Sequence, residues 1–137
     1  MKFNKLIPEL SVFDINKSIE FYTKILGFKI EYKREECKFA FLSMNGSQIM
    51  IEQANGNWET GKLEYPFGRG INFQIEANDV DSLVKSLQAH KYPIMIMPKE
   101  NWYRVGNTFW GNREFLVMDP DGYLLRFSQD LGEKPLS

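Results

Sequence analysis

Apolar positions along the chain change their period at regular intervals. "LIPELSV" (6–12) sets Leu10 and Val12 against alternating Glu9 and Ser11, the mark of a half-buried strand. Asp14 then offers an N-cap, and Ile15, Ile19, Tyr22 and Leu26 recur at helical spacing until Gly27 stops the run. Three strand candidates follow: "FKIEYK" (28–33), "KFAFLSM" (38–44) and "SQIMIEQ" (47–53). Asn45-Gly46 joins the last two, because both residues tolerate the positive φ of a tight hairpin. Residues 54–70, "ANGNWETGKLEYPFGRG", are polar and Gly-rich and read as a linker.

After the linker the order starts again. "INFQIEA" (71–77) alternates Ile71, Phe73 and Ile75 against Asn72 and Gln74. Asp79 or Asn78 caps a helix carrying Val80, Leu83, Val84 and Leu87. A short apolar run (93–97) leads into a long loop (98–112), then "REFLVMD", an Asp119-Pro120-Asp121-Gly122 turn and "YLLRFSQ". Strand, helix and three strands thus occur twice. The pattern predicts an α+β fold of two tandem βαβββ modules: module one 1–53, linker 54–70, module two 71–129 and a short C-terminal tail 130–137. Each helix covers one face of its sheet. Together the modules are expected to form a curved, cup-shaped mixed sheet with the helices on the outer face.

Length and composition change this picture little. The chain has 137 residues, enough for one compact domain, and its 43% hydrophobic content argues against disorder. Its 11 Phe, 6 Tyr and 3 Trp exceed the needs of a small core and raise the prospect of a ring-lined pocket. A formal charge of −1 without like-charge blocks argues against nucleic-acid or membrane partners. The absence of an 18-residue apolar run predicts a soluble, cytoplasmic protein with neither membrane span nor signal peptide. Cys37 is the single cysteine, so no disulfide framework exists, and a strand residue without chemistry is the plain reading for it. His90, the single histidine, falls at the end of the second helix, the usual place of a surface helix-end residue.

One charged residue stands out. In 123–128, Tyr123, Leu125 and Phe127 share a face suited to packing on a helix, which turns Arg126 toward the opposite, uncovered face. "IPELSVFDINKSIEFYTKILGF" and "WGNREFLVMDPDGYLLRF" carry a resemblance that spans nearly the whole chain. They resemble the opening strand–helix and the closing hairpin of the vicinal oxygen chelate superfamily, which holds glyoxalase I, extradiol dioxygenases, fosfomycin-resistance enzymes and bleomycin resistance proteins. Trp110-Gly111 and Arg113-Glu114-Phe115 before the turn point to the bleomycin resistance branch.

The resemblance implies four cup-facing positions where enzymes of the superfamily place His, Glu or Gln metal ligands. On this chain they fall at Ile7, Glu52, about Gly70, and Arg126. Isoleucine and glycine have no ligating side chain, and arginine is always protonated. A small misalignment brings in Asn72 or Glu9, but one or two oxygens do not make a catalytic site. No metal and no cofactor are therefore expected.

In place of a metal cup, the resemblance implies a binding groove. Tyr32, Phe39 and Trp110 correspond to drug-contacting rings of bleomycin resistance proteins. Phe41 shares a face with Phe39, and Trp102 and Tyr103 are candidates for a rim. Flat heteroaromatic ligands stack on such rings at little entropic cost. Core packing is the competing reading for Phe39 and Phe41, loop anchoring for Trp58, and local hairpin bonding for Arg113 and Glu114. Glu52 and Arg126 are expected to meet as an ion pair where relatives hold the ion. The function expected is non-enzymatic sequestration of a planar aromatic antibiotic of the bleomycin type, or a related metabolite, at a homodimer interface. A superfamily enzyme is the alternative. Lys29, Lys33, Arg34 and Arg104 near the groove suit an anionic aromatic ligand better than a cationic drug.

Overall fold

The computed structural model describes residues 1–135; Leu136 and Ser137, the end of the expected tail, lie outside the described residues. The chain folds as two compact units, Met1–Arg69 with Asp119–Tyr123, and Gly70–Met118 with Leu124 onward. Each is a four-stranded mixed sheet with one helix in the order βαβββ, which makes the fold α+β.

The first unit contains β1 (Glu9–Val12), α1 (Ile15–Glu20), β2 (Lys29–Arg34), β3 (Phe39–Met44) and β4 (Ser47–Gln53), with sheet order β1-β4-β3-β2. β1 runs parallel to β4, and the other pairs are antiparallel. Asp14 caps α1, its Oδ1 accepting from the Asn16 and Lys17 amides. A π-helical turn (Phe21–Ile25) extends the helix before Gly27 reverses the chain at φ +88°. Leu10, Val12, Ala40, Leu42, Ile49 and Ile51 fill the core on one face of the sheet, and α1 packs against β4.

The second unit contains β5 (Asn72–Glu76), α2 (Val80–Ala89), β6 (Ile96–Val105), β7 (Thr108–Met118) and β8 (Leu124–Pro135), in sheet order β5-β8-β7-β6. Asp79 is the α2 cap, accepting from the Asp81 and Ser82 amides. Ile75, Phe115, Val117, Leu125 and Phe127 form its core beside Val84 and Leu87 of α2. The Phe115 and Phe127 rings stack at 5.4 Å.

Two stretches differ from the sequence reading. Residues 98–112, expected as a loop, are the greater part of an antiparallel hairpin in which Trp102 pairs with Gly111 and Tyr103 with Trp110. Pro98 masks the strand in the sequence, yet it sits at a bulge between Ile96 and Lys99 on the edge strand, where a missing N–H is tolerated. Residues 130–135, expected as a tail, continue β8, with Glu133 opposite Trp110 and Pro135 opposite Thr108. The stretch 54–69 counts with the first unit.

The Asp-Pro-Asp-Gly turn also counts with the first unit, and its hydrogen bonds show why. Asp119 Oδ1 accepts from the amides of Asp121 and Tyr123, each at 2.9 Å, and Oδ2 accepts from the Tyr22 hydroxyl at 2.7 Å. Burial pushes the Asp119 carboxyl up to about 6 despite those donors. Tyr123 donates its hydroxyl to the Ser11 carbonyl, and burial raises that phenol to about 12. Gly122 takes φ +90°, and a Cβ there would lie 2.6 Å from the Pro66 Cα, so both backbone and space demand glycine.

Candidate functional site

Strand register defines the sheet face away from the core in each unit. In the first unit it carries Glu9, Ser11, Tyr32, Arg34, Phe39, Phe41, Gln48, Met50 and Glu52. The expected ring cluster is there: Tyr32 stacks on Phe41 at 5.2 Å and leans on Phe39 at 5.8 Å. The chain itself covers these rings. The Arg34 guanidinium lies 4.2 Å above Phe39, and Phe3 meets Phe41 edge-on at 5.4 Å. Asn4 ties the N-terminal segment down, its amide donating to Gln48 Oε1 while Gln48 Nε2 donates to the Lys2 carbonyl. Phe39 and Phe41 are consequently 3% and 1% exposed, and Tyr32 is the half-buried outer ring. Glu52 accepts from Asn55 Nδ2 at 3.1 Å. Glu9 stands close enough to Glu52 for that charge, added to burial, to raise the Glu9 carboxyl above its usual range.

In the second unit the corresponding face carries four cross-strand rows. Tyr103 pairs with Trp110, Asn101 with Asn112, and Lys99 with Glu114. Ser128 follows Glu114 across β8, and Leu116, Arg126 and Gln74 form the next row. Arg126 is the hub. Its Nη1 meets Glu114 Oε2 at 3.4 Å, Nε donates to Asn72 Oδ1 at 2.9 Å, and Nη2 donates to Gln74 Oε1 at 3.2 Å. Asn112 Nδ2 donates to Ser128 Oγ at 2.9 Å beside them. Glu114 is the carboxylate partner of Arg126, in the role expected for Glu52. Counting back from the Asp119–Gly122 turn would have found it, since Leu116 faces Arg126 and Glu114 faces Ser128.

The tryptophans separate. Trp110, expected in a loop, is a β7 residue, 41% exposed, and shares its face with Tyr103, 53% exposed. Trp102 lies one residue out of phase and occupies the other face of the hairpin. There it lies flat on Gly111, where an added Cβ would come within 2.5 Å of the ring, and Lys134 Nζ sits 4.0 Å above it. Trp102 therefore anchors the hairpin and does not share a surface with Trp110. Trp110 and the Arg126 row share a face but stand six β7 residues apart, roughly 20 Å along a strand. Trp58 is exposed, Cys37 is exposed, and His90 caps α2 with Nδ1 2.8 Å from the Ser86 carbonyl.

A metal ion fits this arrangement poorly. The guanidinium of Arg126 fills the centre of the second unit's polar cluster with Glu114, Asn72 and Gln74 turned onto it. Ile7 and Gly70 both precede the strands on which ligands were expected. Among the described residues, no three His, Cys, Asp or Glu side chains converge as a ligand set.

Comparison with known proteins places this geometry. The model of the Glyoxalase/Bleomycin resistance protein/Dioxygenase superfamily matches residues 5–127, and the chain belongs to that superfamily. It is 31% identical over 134 residues to a bleomycin resistance protein of Geobacillus stearothermophilus, covering 91% of this chain and 96% of the relative. It is 32% identical over 126 residues to a probable lactoylglutathione lyase of Vibrio parahaemolyticus, covering 88% and 86%. Among solved structures it resembles TioX from Micromonospora sp. ML1, with a TM-score of 0.69 at 19% identity over 94% of this chain and 100% of that one. That likeness concerns the fold. The superfamily thus unites binding proteins and enzymes, and the residues of this chain have to decide between them. Among the described residues no helix is long and apolar enough to cross a membrane.

Proposed function

We propose that the protein is a non-enzymatic binder of a small, planar aromatic molecule, an antibiotic of the bleomycin type or a related metabolite. The carrying observation is Arg126, held by Glu114, Asn72 and Gln74 where the superfamily resemblance leads one to seek a metal ligand. A fixed cation there opposes a second cation. Trp110 and Tyr103 supply exposed ring area on the same face of the second unit. The groove is completed, in this reading, by a second copy of the chain in the cytoplasm, since two-fold assembly generates two equivalent sites.

Metal-free bleomycin titrated against the protein should quench tryptophan fluorescence saturably, and elemental analysis should find no stoichiometric divalent metal. Sedimentation should give a dimer at micromolar concentration. The similarity to probable lactoylglutathione lyases favours a second reading, an enzyme of the same superfamily. Stoichiometric metal together with lactoylglutathione lyase activity would establish it and end the binder reading.

A further inference from the structure

Arg126 does more than fill a vacated position, because it dictates which way two amides face. A guanidinium only donates hydrogen bonds. Nε and Nη2 of Arg126 therefore hold the carbonyl ends of Asn72 and Gln74, Oδ1 at 2.9 Å and Oε1 at 3.2 Å. The NH2 ends of both side chains are left pointing away from it. Both residues are exposed, and both lie on the same face of β5, two positions apart, roughly 7 Å between Cα atoms. Glu114, 7% exposed, meanwhile neutralises the charge of Arg126 at 3.4 Å.

We infer that Asn72 and Gln74 form a subsite that recognises a neutral acceptor group, a carbonyl or carboxamide of the ligand, with Arg126 as the positioning residue. This subsite is separate from the rings at Trp110 and Tyr103, which stand roughly 20 Å along the strand. A ligand that engages both within one unit is elongated, with a flat group at one end and an acceptor-bearing head at the other. Arg126 thereby acts as a selector for polarity and not as an anion receptor. The inference rests on the reading of this face as a ligand surface.

Two matched probes test it: anthraquinone-2-sulfonate, with two carbonyl acceptors, and anthracene-2-sulfonate, with none. Their ring area and charge are alike, so the shared sulfonate cancels in the ratio of affinities. In spectra of 15N-labelled protein, the quinone should shift the side-chain NH2 signals of Asn72 and Gln74 saturably. It should also bind about fivefold more tightly than the anthracene, the yield of one neutral hydrogen bond, since the two quinone oxygens point in opposite directions and only one at a time faces the amide pair. Asn72→Asp and Gln74→Glu keep an acceptor oxygen for Arg126 but remove the outward donors, so the combined variant should fold and bind the two probes within about twofold of each other. Arg126→Met, which frees the amides to turn, should lower the ratio as well. Equal affinities in the wild type, or a preference that survives in the combined variant, would overturn the subsite. The indole N–H of Trp110 is followed in the same spectra, so failure at the ring end of the proposed function is seen separately from failure at the amides.

Discussion

The two units share a topology and differ in what the sheet face away from the core does in each. In the first, the buried rings of that face are covered by their own chain: Tyr32, Arg34 and Phe3 lie over Phe39 and Phe41, and Asn4 and Gln48 fasten the covering segment. In the second, the face is polar and open, organised around Arg126, with Trp110 and Tyr103 standing into solvent. Phe39 and Phe41 on the first unit's face are thus part of the fold, whereas Trp110 and Tyr103 on the second unit's face are surface. An aromatic cluster in a sequence does not by itself mark a binding surface, because what covers it is decided by residues far away in the chain.

The sharpest way to break this comparison is truncation of a covered ring. Phe41→Ala removes a ring that is 1% exposed and stacked on Tyr32, and should destabilise the protein by about 3–5 kcal/mol. Chemical denaturation measures it. A loss below about 1 kcal/mol would mean that the ring is not core and that the first unit's face opens as the second's does.

A second contrast lies in pH. In the first unit burial raises the Asp119 carboxyl to about 6. A raised folded-state value means that the native protein binds this proton more tightly than the unfolded chain does. The stability contributed by the protonated acid is complete below about pH 4 and is lost as pH rises through about 6. The expected size of this component is about 3 kcal/mol. Comparing denaturation of wild type and Asp119→Asn from pH 4 to pH 7 isolates it, since the variant should lack this loss. Parallel profiles for the two proteins would show that Asp119 does not titrate in the window.

The third effect belongs to the second unit. Arg126→Leu strands the buried carboxylate of Glu114 and should cost about 2 kcal/mol, less than a fully buried pair because Arg126 is one-third exposed. Glu114→Gln combined with Arg126→Leu should recover part of that loss, because the costly state is the lone charge. Strict additivity of the two substitutions would mean that the pair is not coupled.

What the sequence revealed follows from how local each signal is. The caps at Asp14 and Asp79, the Asn45-Gly46 turn and the alternation that turns Arg126 outward involve neighbours within a few residues, and each stands as read. The β6–β7 hairpin was hidden because Pro98 interrupts its first strand and because "NWYRV" has no polar alternation on an edge exposed on both sides. Gly106-Asn107, a permissible hairpin turn with φ +61° at Gly106, was the signal that could have found it. The covering of Phe39 and Phe41 was beyond local reading altogether, since Phe3 lies 36 or more positions away. The Glu114–Arg126 pair lay between these extremes, legible only by carrying the strand register back from the Asp119–Gly122 turn.

The smallest expected stability effect is the one that bears most on function. Trp110 is a strand residue with 41% of its surface exposed, opposite Tyr103 on one side and Glu133 on the other. Its indole contributes contact area without filling the core, so Trp110→Ala should cost only about 1 kcal/mol in stability. A flat ligand stacked on it should lose roughly 1–3 kcal/mol of binding, by analogy with bases stacked on aromatic side chains. The opposite ordering holds at Phe41, where truncation costs stability first and affects a ligand only through the fold. Measuring denaturation and bleomycin affinity on both variants therefore gives a crossed pattern if the second unit's open face is the binding surface. If Trp110→Ala leaves affinity unchanged while the protein remains folded, the rings of the second unit are not in contact with the ligand, and recognition has to reside elsewhere on the chain.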